Sequence, residues 1–288
     1  MAILGWPIKD GYIERIFMNR NVVLWILAVA ITLASAVYQR ATGPTYPMKG
    51  KTSLGGMEIK YGLERSHGGD DDHPVSIKIP DHSINGVLSY KRYKIDESWT
   101  QIQMNHDGDY LKAYLPHQPP AGKLQYNIYL VQGNNAVRIP EYTDVVIRFK
   151  GAVPNMVLIP HIFCMFMAML VSTRAGMQAL ISDQKLKTYA LWTIAFLFAG
   201  GFILGPLMQK YAFGDYWTGF PFGFDLTDNK TLIASIGWFI AAIAVFRDRR
   251  PRLFVIGAAV LMMIIFLIPH SALGSELNYS TMKVEQSN

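Results

Sequence analysis

The sequence predicts a multi-pass α-helical membrane protein with five transmembrane helices and an inserted extracytoplasmic antiparallel β-sandwich-like domain. Three observations carry this expectation: long apolar runs without charge, a polar insert patterned as short strands, and an uneven distribution of Lys and Arg. The 288 residues are 51% hydrophobic and 17% charged, and the 21 acids and 27 bases leave five runs of 16 to 23 residues with no Asp, Glu, Lys or Arg. Charge-free runs of that length suit the hydrocarbon core of a bilayer. They argue against a soluble nucleotide-binding fold and against a nucleic-acid partner, because such domains carry charge throughout their solvated helices and loops.

Taken in order, residues 1–39 read as a cytoplasmic N-terminus and a first transmembrane helix, whose uncharged stretch VVLWILAVAITLASAVY is just long enough to span. Ala34-Ser35-Ala36 fits the small-x-small rule of a signal-peptidase site, but the segment before the apolar run is long for a cleaved leader. An uncleaved signal-anchor is expected. Residues 40–56 read as a linker, being rich in Gly, Pro, Thr and Ser. Residues 57–150 read as a folded β domain, since so long a polar stretch exceeds what joins two neighbouring helices. Candidate strands occupy 57–63, 75–79, 86–93, 100–104, 110–115, 124–131, 136–139 and 145–149, with breaks such as HGGDDDHP, HDGD, PHQPPAG and QGNN. Period-two geometry puts Leu124, Tyr126, Ile128 and Leu130 on one face and Gln125, Asn127 and Tyr129 on the other. An immunoglobulin-like or fibronectin-like sandwich is expected, with a small barrel as the alternative.

Residues 151–270 read as a four-helix membrane portion with spans at 151–173, 188–208, 231–246 and 253–269. The connector RDRRPR at 247–252 fits a tight helical hairpin, residues 209–230 form an aromatic outer loop, and 271–288 form an extracytoplasmic tail. With the N-terminus inside, segments 1–21, 174–187 and 247–252 hold 10 basic and 4 acidic residues, leaving 17 of each elsewhere. The whole net charge of +6 then lies on the cytoplasmic side, as the positive-inside rule requires. The expected location is the plasma membrane, as in a bacterial inner membrane, with the β domain and the C-terminus extracytoplasmic. Cys164 is the only cysteine and sits in an apolar run, so no intrachain disulfide staples the domain.

Two histidines are candidate cofactor-binding residues: His161, after Pro160 in the second span, and His270, after Pro269 at the outward end of the fifth. Imidazole there could ligate haem or another metal, or move a proton for a quinone; hydrogen bonding within the bundle is the competing reading. In the aromatic loop, Tyr211, Phe213, Asp215, Tyr216, Trp217, Phe220, Phe222 and Phe224 are candidate interface residues, either as anchors at the water–lipid boundary or as a binding cover. The string HGGDDDH offers His67, Asp70, Asp71, Asp72 and His73 as metal ligands, against the simpler reading of a solvated acidic turn. His82, His106 and His117 fall in other expected turns. Gly200 and Gly201 suit close helix packing.

The apolar runs themselves offer no charged relay, and the sequence holds neither a CxxCH or HExxH motif nor a nucleophile elbow or phosphate loop. The expected function is therefore a non-catalytic, membrane-anchored interaction or assembly subunit that presents the β domain to membrane or extracytoplasmic protein partners, with lipid around its helices. No cofactor is expected by default. The alternatives are an oxidoreductase or electron-transfer subunit using haem, metal or quinone at the outer boundary, and a component of a membrane transporter.

Overall fold

Helix α1 runs from Asp10 to Thr42 in the computed structural model, which describes residues 10–269 and 274–286. The later helices are α2 (Asn155–Ile181), α3 (Leu186–Leu197), α4 (Gly205–Phe213), α5 (Leu226–Phe246) and α6 (Pro251–Leu267). A wide turn at Phe198–Leu204 joins α3 to α4, making one continuous helix over Leu186–Phe213. Among the described residues, four helices are long and apolar enough to cross a membrane: Arg20–Thr42, Asn155–Ile181, Leu186–Phe213 and Leu226–Phe246. Helix α6 is equally apolar but has only 17 residues. Ile26, Leu33, Phe163, Trp192, Phe239 and Leu253 are exposed on these helices, the exterior that a hydrocarbon solvent favours and water does not.

The helical unit comprises the described residues up to Tyr38 together with Ile162–Gly201 and Lys230–Ile268. Small side chains line its interior, with Ala168, Ala175, Ala190, Ala234, Ala241 and Ala258 all buried around the fully buried Trp238. Such residues bring helix backbones close, so dispersion contacts replace a hydrophobic drive that hydrocarbon cannot supply. The wide turn depends on the same economy of space. A Cβ on Gly200 would stand 2.9 Å from that of Cys164, and one on Gly201 would stand 2.4 Å from Thr231 Cγ2.

Polar contacts fix how the helices run. Arg252, at the start of α6, donates to the carbonyls of Ala179 and Leu180 near the end of α2, each at 2.6 Å. Lys230, in the first turns of α5, donates to the carbonyl of Ile268 just past α6, at 2.9 Å. Helix α6 is therefore antiparallel to both α2 and α5. Arg174 of α2 reaches Asn21 of α1 at 2.6 Å, which places the early part of α1 beside the late part of α2.

The second unit comprises Gln39–His161, Phe202–Asn229 and the described part of Pro269–Asn288. Its strands are β1 (Met48–Leu54), β2 (Met57–Leu63), β3 (Ser66–Gly68), β4 (His73–Lys78), β5 (Asn85–Arg92), β6 (Thr100–Gln103), β7 (Asn105–Asp107), β8 (Tyr110–Leu115), β9 (Lys123–Gln132), β10 (Asn135–Ile139), β11 (Val145–Lys150), β12 (Ser275–Asn278) and β13 (Lys283–Gln286). One sheet has the order β3-β11-β9-β5-β6, with β10 also on β9; another has the order β4-β8-β7, and β1-β2 and β12-β13 are hairpins. All pairs are antiparallel except β3 with β11. The polypeptide passes from β6 to β7 through Met104, whose N–H bonds to Gly86 O at 2.8 Å, so a single extended segment leaves β5 and joins β8.

Alternate residues of these sheets meet in one apolar core. Ile59, Leu63, Val75, Ile77, Leu111 and Leu115 face Leu88, Leu124, Tyr126, Ile128, Ile147 and Phe149. Strand β4 alternates without exception between buried and exposed residues, as period-two geometry requires. Tyr126 is buried and donates its hydroxyl to Glu64 O at 2.8 Å, and burial pushes its pKa far up.

Three expectations change. The linker over 40–56 gives way at Met48 to strand β1, which pairs antiparallel with β2 along its whole length. Helix Leu186–Phe213 runs past residue 208, so Tyr211 and Phe213 stand on a helix instead of in a loop. The apolar helices are not free of charge, because α2 continues through Arg174 and α5 begins early enough to include Asp228 and Lys230.

Candidate functional site

The aromatic segment is built from the first turn of α5. Asp225 is the N-cap: its carboxylate accepts the Thr227 N–H at 2.8 Å and its carbonyl accepts the Asn229 N–H at 3.1 Å. One turn on, the buried Asp228 reaches back into the preceding segment. Its Oδ2 accepts the N–H of Thr218 at 2.7 Å, that of Gly219 at 3.0 Å and the Thr218 hydroxyl at 3.3 Å. Asn229 Oδ1 accepts the Phe220 N–H at 2.8 Å. Three consecutive backbone donors are thus satisfied by two adjacent side chains, and the carboxylate sits where the helix dipole favours negative charge. Residue 219 has to be glycine here, since a Cβ would lie 2.6 Å from that of Asp228.

Trp217 completes the frame by donating its indole N–H to Phe220 O at 3.1 Å while its ring stacks on Phe202 with centroids 5.8 Å apart. The N–H groups of Phe222 and Gly223 both bond to Gly219 O at 2.9 Å. With its backbone so engaged, the segment leaves Phe220, Phe222 and Phe224 exposed to 61%, 83% and 71%. Tyr211, Asp215 and Tyr216 are exposed as well, with Lys210 over the Tyr216 ring at 5.2 Å. The eight expected interface residues therefore divide: Phe213 and Trp217 pack inward, and the other six face out.

Phe213 packs against the β sheet. The Arg148 guanidinium of β11 stands 4.0 Å from its ring centroid, and the Gly151 N–H bonds to Ala212 O at 3.0 Å. Burial pushes Arg148 down to about 10, opposed by the nearby Asp225 and Glu276 carboxylates. Beside it in register, Lys123 meets Glu276 of the C-terminal hairpin at 2.7 Å, and Leu277 donates its N–H to Ala121 O at 3.0 Å. Burial also lowers the Lys123 pKa, against the pull of Glu276. The tail region at 275–286 is thus clasped to the start of β9 and the residues just before it.

His161 stands half-buried six residues into α2, about 9 Å along its axis from Asn155. His270 lies outside the described residues. The string at 67–73 does gather two imidazoles. His67 Nδ1 and His73 Nδ1 are 3.1 Å apart, and His67 Nε2 lies 2.9 Å from Asp71 O. A carbonyl only accepts, so the neutral His67 ring carries its proton on Nε2, and its Nδ1 accepts from Nδ1–H of His73. The Asp72 carboxylate instead binds the His117 N–H at 2.7 Å, and both His67 and His117 stand edge-on to Phe149. Among the described residues no group of three or more His, Cys, Asp or Glu converges on one point. His82 and His106 stack on each other, with centroids 4.5 Å apart.

Sequence reading missed Asn229, Lys230 and Arg174, and it gave Asp228 a place in the aromatic cover without its role as acceptor for the Thr218 and Gly219 amides. Arg174 is 1% exposed, bonds to the amide oxygens of Asn21 and Gln178, and lies between the rings of Trp25 and Tyr189. The pattern Asp-Leu-Thr-Asp-Asn before an apolar run was a usable signal for a helix start, with carboxylates at the N-cap and N3. No protein-family model matches the chain, and no curated protein matches it.

Two outcomes are expected. Asp228→Ala leaves the Thr218 and Gly219 amides without their acceptor, at a cost of about 1–3 kcal/mol, so hydrogen exchange at residues 218 and 219 should accelerate at least about fivefold, and unchanged protection would refute the assigned role. Separately, burial first and His67 second hold His73 at about 4 against 6.5. Below the unfolded value the unfolded chain binds a proton that the folded chain does not. The stabilisation is full above pH 6.5 and is lost as pH falls through 4, with an upper bound of about 3 kcal/mol. In chelator-containing buffer, the melting temperature of His73→Gln should fall less between pH 7 and 4 than that of the parent protein, and parallel curves would contradict this.

Proposed function

We propose that the chain is a non-catalytic, membrane-anchored interaction or assembly subunit that presents its β domain and aromatic segment on the extracytoplasmic side. The observation that carries the reading is the segment at 217–224: its backbone is locked by Asp228 and Asn229 while Phe220, Phe222 and Phe224 are held outward. A rigid aromatic projection is a docking device, because its binding costs little conformational entropy. Aromatic anchors of this kind dominate protein interfaces.

We read α6 as a fifth crossing. Helix α6 starts beside the end of α2 and ends beside the start of α5, as a full antiparallel crossing would. Its 17 residues rise about 26 Å, close to the hydrocarbon thickness of a thin bilayer. With the basic segments at 1–21, 174–187 and 247–252 cytoplasmic, the β domain, the aromatic segment and the tail fall on the opposite side of a bacterial inner membrane. A second reading, an electron-transfer subunit with haem or quinone, draws on His161 within the apolar α2.

Photo-crosslinking from position 222 in native membranes tests the proposal. The expected product is one discrete protein adduct that weakens in Asp228→Ala; adducts with lipid alone would make the segment a bilayer anchor and overturn the docking role. A stoichiometric haem spectrum in the gently purified protein would favour the second reading.

A further inference from the structure

We propose that His67 and His73 form a two-imidazole site for a divalent ion of the zinc or copper type, at the β3–β4 turn of the β domain. The site is independent of the assembly role, since it lies on the HGGDDDH string and not on the aromatic segment. Neutral imidazole is a borderline donor that suits zinc, copper and nickel.

The spacing fits such an ion. Two imidazole nitrogens on one tetrahedral zinc, each about 2.0–2.1 Å from it, stand about 3.3 Å apart; His67 Nδ1 and His73 Nδ1 are 3.1 Å apart. Ring orientation adds to this. Imidazoles aimed at one ion about 2 Å from each nitrogen hold their centroids about 5 Å apart, whereas a head-on N–H···N bond of the same length would spread them to about 5.4 Å. The observed separation is 4.9 Å, with the ring planes at 63°.

The supporting shell has the form that metal-bound histidine takes. His67 Nε2–H donates to Asp71 O at 2.9 Å, which fixes the tautomer and turns the Nδ1 lone pair toward His73. His73 is 6% exposed and His67 rests edge-on against Phe149, so both rings are held by packing. Asp72 ties the turn to the His117 backbone at 2.7 Å. No third His, Cys, Asp or Glu joins the pair among the described residues, so water or an incoming ligand completes the coordination shell. That makes the site open and exchangeable, unlike a closed structural zinc site. In the ion-free protein the same nitrogens share the His73 Nδ1 proton. Binding moves that proton to Nε2 of the same ring, so the neutral pair releases none.

The test is a titration of the full chain in detergent, stripped with chelator, using Zn²⁺ and Cu²⁺ alone. Expected are one ion per chain, two nitrogen couplings in the Cu²⁺ resonance spectrum, and a rise in melting temperature with Zn²⁺. His67→Gln and His73→Gln should each weaken binding by about tenfold or more, while His82→Gln and His106→Gln leave it unchanged. Should His73→Gln fail to fold, the half-buried His67→Gln and the nitrogen count of the parent protein decide. Binding unchanged in His67→Gln, a Cu²⁺ spectrum without the two-nitrogen signature, or no uptake by the parent protein would each overturn the site.

Discussion

The Asp228 carboxylate is the interaction on which the arrangement around the aromatic segment depends. A helix start leaves backbone donors without partners, and a segment entering it through a tight turn adds more. Asp228 takes two such donors from Thr218 and Gly219, and its neighbour Asn229 takes the next from Phe220. Asp225 caps the helix itself. One turn of α5 therefore sets the path of the chain that precedes it. The glycine at 219 and the stack of Trp217 on Phe202 follow from that close approach.

From this turn, order passes to the β sheet through few contacts of high specificity. Phe213 lies under Arg148, and Gly151 bonds to Ala212 where β11 leaves the sheet. The C-terminal hairpin meets the same sheet at the start of β9 through Glu276 and Lys123. Arg148 and Lys123 are cations taken largely out of water, so each needs its carboxylate close by; losing one partner would leave a buried charge uncompensated. Helix end, sheet and tail thus share one set of charges, which is why they form one compact unit although they lie far apart in sequence.

Much of the fold was legible because hydrophobic pattern is local. Strands 57–63 and 110–115 have the limits expected from alternation, and four apolar helices follow from charge-free runs. Strand β1 was hidden because MKGKTSL is mostly polar and buries only Leu54, and only its pairing with β2 makes it a strand. The start of α5 was hidden by its charges, which read as loop until their acceptors and donors are seen together. Among the site residues, exposure of Phe220, Phe222 and Phe224 agrees with an outward role, whereas the inward packing of Phe213 and Trp217 depends on Arg148 and Phe202, distant partners that spacing does not reveal. The His67–His73 approach is legible as a string but not as a geometry, since Asp70, Asp71 and Asp72 looked like ligands and the structure uses Asp71 and Asp72 to shape the turn.

If the aromatic segment is a preformed docking surface, it has to keep a fixed position on the β sheet in the absence of any partner. Pulsed electron resonance between spin labels at Asp215→Cys and Tyr142→Cys, in a Cys164→Ala background reconstituted into bilayers, measures this directly. Both positions are exposed and belong to the same unit. The account predicts a single narrow distance distribution that broadens when Asp228 is replaced by Ala. A broad distribution in the parent protein would contradict it.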